Sequence, residues 1–137
     1  IFRTADAAGV IKIYLTGYTA TPTDRFGRAQ KEIAKVALGA EQSIHWEHQE
    51  DVEACIEKLK QRGFTIIAIE QADLSIPYTN VARKEKMAFV FGNEPDGLSQ
   101  EVLSACDITA EIPMHGMKES LNVAVAAGIA LFRILER

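Results

Sequence analysis

The sequence has few of the residues that build a metal centre or a disulfide framework. Cys55 and Cys106 are far apart and form no Cys-x-x-Cys pattern, and His45, His48 and His115 do not have the spacing of a zinc site. We therefore expect no metal, reduced structural thiols, and histidines on the surface or in loops. A disulfide between the two cysteines stays open at this stage.

Long apolar runs and an excess of positive charge are also missing. The longest apolar stretch, residues 121–134, is interrupted by Asn122 and Gly128 and meets Arg133, so it predicts a buried helix rather than a membrane span. No charged and apolar leader is evident at the start, so we expect a cytoplasmic protein. The formal net charge of -4 argues against coating nucleic acid by bulk electrostatics, so any RNA binding must use a local patch.

What is present is the composition of a folded globular protein. Hydrophobic residues make up 47% of the 137 residues, charged residues 25% and aromatic residues 7%, which favours one domain over residues 1–137. The chain opens at Ile1, without a methionine and inside an apparent helix that Gly9 would end. We expect that a preceding segment, with an N-terminal strand, has been left out.

Hydrophobic periodicity predicts helices and strands in alternation. Helices are predicted over residues 1–8, 24–38, 51–62, 99–105 (capped by Ser99) and 120–135 (capped by Ser120), and strands over 10–15, 43–46, 65–69, 87–91 and 108–112. This order favours a largely parallel sheet with helices on both faces. The loops 70–80, 92–98 and 113–120 each follow a strand, and they would converge on one pocket if those strands are neighbours.

One local basic patch is predicted within the helix over 24–38. Arg25, Arg28, Lys31 and Lys35 recur at helical spacing and would line one face of that helix. Such a face would contact the phosphates of a nucleic acid, although a solvated helix face has the same pattern.

Three segments, in order, resemble the motifs of the SpoU family, the TrmH-like group of the SPOUT superfamily. They are residues 1–10 (IFRTADAAGV), 89–98 (FVFGNEPDGL), and 112–114 (IPM) with 120–126 (SLNVAVA). Residues 35–41 (KVALGAE) also look like the segment between the first two motifs. The resemblance implies a SPOUT fold with a C-terminal deep trefoil knot from about residue 87, and a homodimer whose interface includes the first and last helices.

The resemblance also implies an RNA methyltransferase that moves a methyl group from S-adenosyl-L-methionine to a ribose 2′-hydroxyl of tRNA or rRNA. The family's cofactor site, carried over, places Gly92, Ile112 and Leu121 beside the cofactor, with Ile69 as a weaker candidate. A glycine at position 92 would let backbone approach a ligand closely, although an ordinary turn glycine fits the same pattern. No GxGxxG pattern follows the first strand, so a Rossmann-type nucleotide site is unsupported.

The implied catalytic residues are Arg3, Glu94, Ser120 and Asn122. The family gives the main role to the arginine, which would either act as a neutral base or stay charged and stabilise the developing alkoxide. Glu94 and Asn122 would organise the loops and orient Arg3 or the ribose. Purely structural roles are the alternatives: Arg3 would be a surface residue paired with Asp6, Glu94 a turn carboxylate and Ser120 a helix cap. An asparagine that the family carries upstream of the arginine lies outside this sequence.

Two rival functions stay open. SPOUT relatives also methylate base atoms, although the pattern of Arg3 and Asn122 favours ribose. A non-catalytic RNA-binding or dimerisation module that has kept the fold is the second alternative, and the retained polar motif residues argue against it.

Overall fold

Helix α1 (Phe2–Ala8) begins the first of two units, Ile1–Val52 and Glu53–Arg137, into which the chain divides. The computed structural model describes residues 1–17, 21–92 and 96–136. As predicted, α1 ends at Gly9, whose φ of 83° is in the left-handed region that glycine adopts without a Cβ clash. In the described residues of the two units, no helix is long and apolar enough to cross a membrane.

The first unit contains a pair of parallel strands with helices against them. Strand β1 (Lys12–Thr16) pairs with β2 (His45–Gln49), so that Lys12 lies opposite His45 and Thr16 opposite Gln49. Both strands were predicted, and β2 extends three residues beyond the predicted end at Trp46. A cluster of buried apolar residues in this unit contains Phe2, Leu15, Ala37 and Ala40, with Ile13, Ile33 and Trp46 packed against it.

The predicted helix over 24–38 was too long. Helix α2 covers only Lys31–Ala37, and α3 (Ala40–Ser43) follows. The Asp24 carboxylate accepts the backbone N–H groups of Phe26 at 2.8 Å and Arg28 at 3.0 Å, which folds residues 24–28 into a turn. Aspartate competes with helix formation in this way because its short side chain bonds nearby backbone. Arg25 and Arg28 therefore do not share a helix with Lys31 and Lys35.

Helix α4 (Val52–Gln61) begins at the boundary of the second unit. It buries Cys55, Ile56 and Leu59, the apolar stripe that predicted it. Within the described part of the second unit, a four-stranded sheet has the order β4-β6-β3-β5 and all its pairs are parallel. Its strands are β3 (Thr65–Ile69), β4 (Ile76–Pro77), β5 (Met87–Phe91) and β6 (Ile108–Glu111).

Strand β3 lies between β5 and β6, which confirms that the three strands before the candidate loops are neighbours. Ile69 lies opposite Phe91 in β5 and opposite Ala110 in β6, so the carboxyl ends of all three strands meet at one edge. Ile66, Ile67 and Ala68 have no exposed surface, as expected for a central strand covered on both faces. Strand β4 was missed because two residues inside a polar loop carry no periodicity.

The two remaining helices differ in how well their caps were predicted. Helix α5 (Gln100–Ala105) begins after Ser99, whose hydroxyl accepts the N–H of Val102 at 3.2 Å, as predicted. Helix α6 (Val123–Ile134) is capped by Asn122 and not by Ser120, because the Asn122 side-chain oxygen accepts the N–H of Ala124 at 2.9 Å. The last helix therefore begins two residues later than expected.

Candidate functional site

A cavity of about 400 Å³ opens at the edge where β3, β5 and β6 end. All of its walls come from the second unit: the ends of the strands, the loops that follow them and the first turn of α6. It is lined by Ile69, Glu70, Gln71, Phe91, Gly92, Gly97, Ile112, Met114, Glu119, Ser120, Leu121, Val123 and Ala126. The convergence of three strand-following loops on one pocket is what the alternation of strands and helices predicted.

The cavity brings together the residues that the resemblance placed beside a cofactor. Ile69, Gly92, Ile112 and Leu121 are all among its lining residues, and Ser120 joins them. Ile69 is buried at the end of the central strand, whereas the side chain of Ser120 is exposed. The lining combines apolar side chains with the polar residues Glu70, Gln71 and Glu119, which suits a ligand that has both an apolar part and polar groups.

Gly92 is required by its own loop. A Cβ atom at this position would lie 2.6 Å from the carbonyl carbon of Gly97 and 2.8 Å from the backbone nitrogen of Leu98, distances that atoms do not tolerate. The glycine thus lets the returning part of the loop pass close to the end of β5. Gly92 also lines the cavity, and the expectation that it lets backbone approach a ligand stays a prediction.

Glu70 is a polar lining residue that the sequence analysis did not single out. Its carboxylate accepts the backbone N–H of Leu98 at 3.0 Å and that of Gln71 at 3.1 Å. Its own backbone N–H donates to the carbonyl of Ala110 in β6 at 3.0 Å. The available signal was its position, directly after a buried strand and at the start of a predicted pocket loop.

The polar motif residues have distinct positions. Asn122 is exposed and caps α6 directly after the pocket residue Leu121, so it has the capping role that the sequence pattern suggested for Ser120. Ser120 lines the cavity, and the cap of α6 within the described residues does not involve it. Glu94 lies outside the described residues.

Arg3 lies on α1 of the first unit, and its side chain is exposed. Within the described residues no ion pair joins it to Asp6, whose carboxylate instead accepts the hydroxyl of Ser43 at 3.3 Å. The surface ion pair with Asp6, which was the alternative role for Arg3, is therefore not formed. An exposed guanidinium with its planar set of donors is suited to hold a phosphate or a hydroxyl oxygen.

The basic residues of the first unit form a turn and a helix rather than one helical face. The guanidinium carbons of Arg25 and Arg28 lie 4.8 and 5.0 Å from the ring centre of Phe26, which is 67% exposed. Hydrogen bonds, first from the backbone N–H of Arg28 and then from that of Phe26, hold the pKa of the Asp24 carboxyl below its usual value. Lys31 and Lys35 are exposed on α2.

No disulfide joins Cys55 and Cys106. Burial raises the pKa of the Cys106 thiol to about 11, and the neighbouring Asp107 carboxylate adds to the rise. Over the described residues, no group of three or more histidine, cysteine or acidic side chains is arranged to hold a metal ion.

Comparison with known proteins identifies the family. The sequence profile of the SpoU rRNA Methylase family matches residues 1–132. The chain is 36% identical to a tRNA (guanosine(18)-2'-O)-methyltransferase of Aquifex aeolicus, covering 96% of this chain and 59% of that protein. It is 34% identical to the 23S rRNA (guanosine-2'-O-)-methyltransferase RlmB of Pseudomonas aeruginosa, over 98% of this chain and 52% of the relative.

A solved structure agrees with these relatives. The AdoMet-bound rRNA methyltransferase from Sinorhizobium meliloti superposes with a TM-score of 0.86 at 30% identity, over 97% of this chain and 48% of that one. The chain thus spans about half the length of the proteins it matches. Together with the parallel sheet and the pocket at its edge, these matches show that the chain belongs to the SpoU rRNA methylase family.

Proposed function

We propose that this chain is the catalytic domain of an RNA methyltransferase that transfers a methyl group from S-adenosyl-L-methionine to a ribose 2′-hydroxyl of tRNA or rRNA. The observation that carries the proposal is the meeting of Ile69, Gly92, Ile112 and Leu121 around one cavity in a member of the SpoU family. The relatives named above support the acceptor, because they are 2'-O-methyltransferases of tRNA and 23S rRNA.

The cavity fits the cofactor in size and in chemistry. Its volume of about 400 Å³ falls in the usual range of small-molecule pockets, roughly 300–1,000 Å³. Ile69, Ile112 and Leu121 would offer apolar surface to the cofactor's adenine ring, and backbone groups of the loops would bind its polar atoms. The bound cofactor supplies a methyl group on a positively charged sulfur, which makes the carbon open to attack by an oxygen.

The chain's own residues must orient and activate the ribose hydroxyl. We assign this role to Arg3, which would hold the acceptor strand and stabilise negative charge on the 2′-oxygen as its proton passes to solvent water. A neutral Arg3 acting as base is the alternative form of the same role. Ser120, on the cavity wall, would contact the cofactor or ribose, whereas Asn122 would act by fixing the start of α6 next to Leu121. Glu94 is retained as a proposed orienting residue.

The RNA would be positioned by the basic residues of the first unit. Arg25 and Arg28, with the exposed ring of Phe26 between them, and the exposed Lys31 and Lys35 offer positive charge in a chain whose net charge is negative. Phosphate contacts of this kind give register and affinity without taking part in the chemical step. We expect the protein to act in the cytoplasm, together with its RNA.

We further propose a homodimer that uses α6. Val125, Ile129 and Phe132 follow one another along the helix and are 51%, 36% and 54% exposed, although the other side of α6 is buried. An exposed apolar row of this length is typical of an interface, and the family resemblance favours a second copy of this chain as its occupant.

A trefoil knot over residues from about 87 to the C-terminus is also proposed. Its support is the membership of the SpoU family, and the strand order is compatible with it: β5 and β6 lie on opposite sides of β3, so the connection that contains α5 passes over one face of the sheet. Pulling the folded chain from its two ends tests this proposal. A knotted chain yields a final extension shorter than the roughly 3.3–3.6 Å per residue of a free chain, and full extension would rule the knot out.

Incubation with labelled S-adenosyl-L-methionine and unmodified tRNA and rRNA, followed by nucleoside analysis, tests the proposed function. We expect label in 2′-O-methyl nucleosides. Label confined to base atoms would overturn the acceptor, and cofactor binding without any transfer to RNA would favour a non-catalytic module.

A further inference from the structure

Glu70 connects the end of β3 to β6 and to the loop after β5. It is the first residue after β3, its backbone N–H binds the carbonyl of Ala110 in β6, and its carboxylate binds the N–H of Leu98 in the loop after β5. In the described part of the cavity wall, no other hydrogen bond from a side chain links two of these loops.

Gly97 and Leu98, in the loop after β5, lie against this carboxylate. Gly97 has a φ of +67°, and a Cβ atom there would lie 2.5 Å from the Glu70 Oε2 atom that accepts the Leu98 N–H. Gly92, at the other end of the loop, makes room for the backbone of Gly97 and Leu98. Two glycines and one part-buried hydrogen bond thus fit the loop against the end of β3, and both glycines line the cavity.

We propose that Glu70 is a positioning residue for the cofactor: its carboxylate, by accepting the Leu98 N–H, holds the loop after β5 in place as a wall of the pocket. The inference rests on the proposed cofactor, S-adenosyl-L-methionine, but the contact itself does not. A carboxylate is suited to this task because hydrogen bonds to a charged acceptor are stronger than those between neutral groups.

Calorimetric titration of the full chain with S-adenosyl-L-methionine and its demethylated product tests the role. Glu70→Ala removes the hydrogen-bond acceptor. We expect it to lower the affinity for both ligands about tenfold or more, the usual scale for losing a hydrogen bond to a charged group. Glu70→Gln keeps one carbonyl oxygen for Leu98, so its affinities should stay within about threefold of the wild type. Glu57→Ala removes an exposed carboxylate from α4 and serves as the matched control.

Three further measurements separate positioning from other roles. Amide hydrogen exchange at Leu98 without ligand should become faster in Glu70→Ala and not in Glu57→Ala, because the bond that protects this amide is removed. The single-turnover rate of methyl transfer at saturating cofactor should change by no more than a few-fold. In a double-mutant cycle, Gly97→Ala should weaken cofactor binding less when Glu70 is already alanine, since part of its clash is with the carboxylate.

Several results would overturn the proposal. Unchanged affinity in Glu70→Ala would show that the wall does not depend on this carboxylate. If both Glu70→Ala and Glu70→Gln lose affinity for S-adenosyl-L-methionine but not for its demethylated product, Glu70 instead pairs with the positive charge of the cofactor's sulfur. If the wild type binds neither ligand, both the proposed cofactor and the role of Glu70 in binding it are wrong. Amide hydrogen exchange at Leu98 then still decides whether Glu70 holds the loop.

Discussion

A Cβ atom at Gly92 would lie 2.6 Å from the carbonyl carbon of Gly97, so the end of β5 and the returning part of its loop pass as closely as backbone permits. Gly92→Ala must push the loop away from the strand, and the loop forms part of the pocket. We expect a loss of about tenfold or more in affinity for S-adenosyl-L-methionine and a free energy of unfolding lower by about 1–3 kcal/mol, the scale of an overpacked site. Titration calorimetry and thermal melting measure the two effects.

Gly116 is the control for this substitution. It lies in the neighbouring loop, and a Cβ atom there would meet nothing within 4 Å. Gly116→Ala should leave both quantities near their wild-type values. Equal losses in the two variants would mean that the close approach at Gly92 has no special role.

The basic turn and helix of the first unit should set the salt dependence of RNA binding. Changing Arg25 and Arg28 together to alanine should weaken RNA binding and lower the slope of log affinity against log salt by roughly one for each phosphate that is no longer neutralised. The control pair Lys58→Ala with Lys84→Ala removes the same charge from exposed positions elsewhere. The same decrease in both double variants would point to net charge rather than to local binding of phosphates.

The exposed row on α6 should hold two copies together. Phe132→Glu places a charge at the most exposed of the three apolar residues in this row, and sedimentation should then show a monomer at micromolar concentration where the wild type is a dimer. Leu74→Glu, at a 92% exposed apolar residue outside α6, should leave the dimer intact. A wild type that sediments only as monomer would remove the proposed interface.

The Cys106 thiol should react slowly at neutral pH. Its pKa is raised to about 11 by burial, so at pH 8 its thiolate fraction, and with it the rate of alkylation, should be about a hundredfold below that of an ordinary thiol. By linkage, the neutral thiol stabilises the fold below about pH 9, and that contribution disappears as the pH rises toward 11. Alkylation of a Cys55→Ala variant across pH 7–11 measures this directly, and a rate that levels off near pH 9 would contradict it.

Periodicity predicted the second unit better than the first. Strands such as Thr65–Ile69 and Met87–Phe91 were predicted with their observed bounds, because continuous β-branched and aromatic runs between turn residues admit few alternatives. The helix predicted over 24–38 was too long because the prediction relied on the helical spacing of its basic residues. It did not account for the Asp24 carboxylate, which accepts two backbone N–H groups and forms a turn. The capping role of Asn122 was not predicted, because it becomes visible only once the start of α6 is known.

The pocket was predictable in place but not in detail. Parallel strands that end at one edge, together with family motifs in the loops that follow, pointed to Ile69, Gly92, Ile112 and Leu121 from the sequence. The role of Glu70 was not predictable, because its partner Leu98 is 28 residues away and the hydrogen bond depends on the folded path of a loop. Interactions of this kind come from tertiary structure and leave no local pattern.

The most direct test of the proposed function is single-turnover methyl transfer from labelled S-adenosyl-L-methionine to RNA from cells that lack this protein, using the full-length protein and its Arg3→Ala variant. If Arg3 orients and activates the ribose hydroxyl, the variant should lose roughly 10²-fold or more in rate while binding the cofactor with unchanged affinity. Arg83→Ala, an exposed arginine of the second unit, is the matched control and should transfer at the wild-type rate. Full activity in Arg3→Ala would contradict the assigned catalytic role, and a wild type that binds the cofactor yet methylates no RNA would contradict the proposed reaction itself.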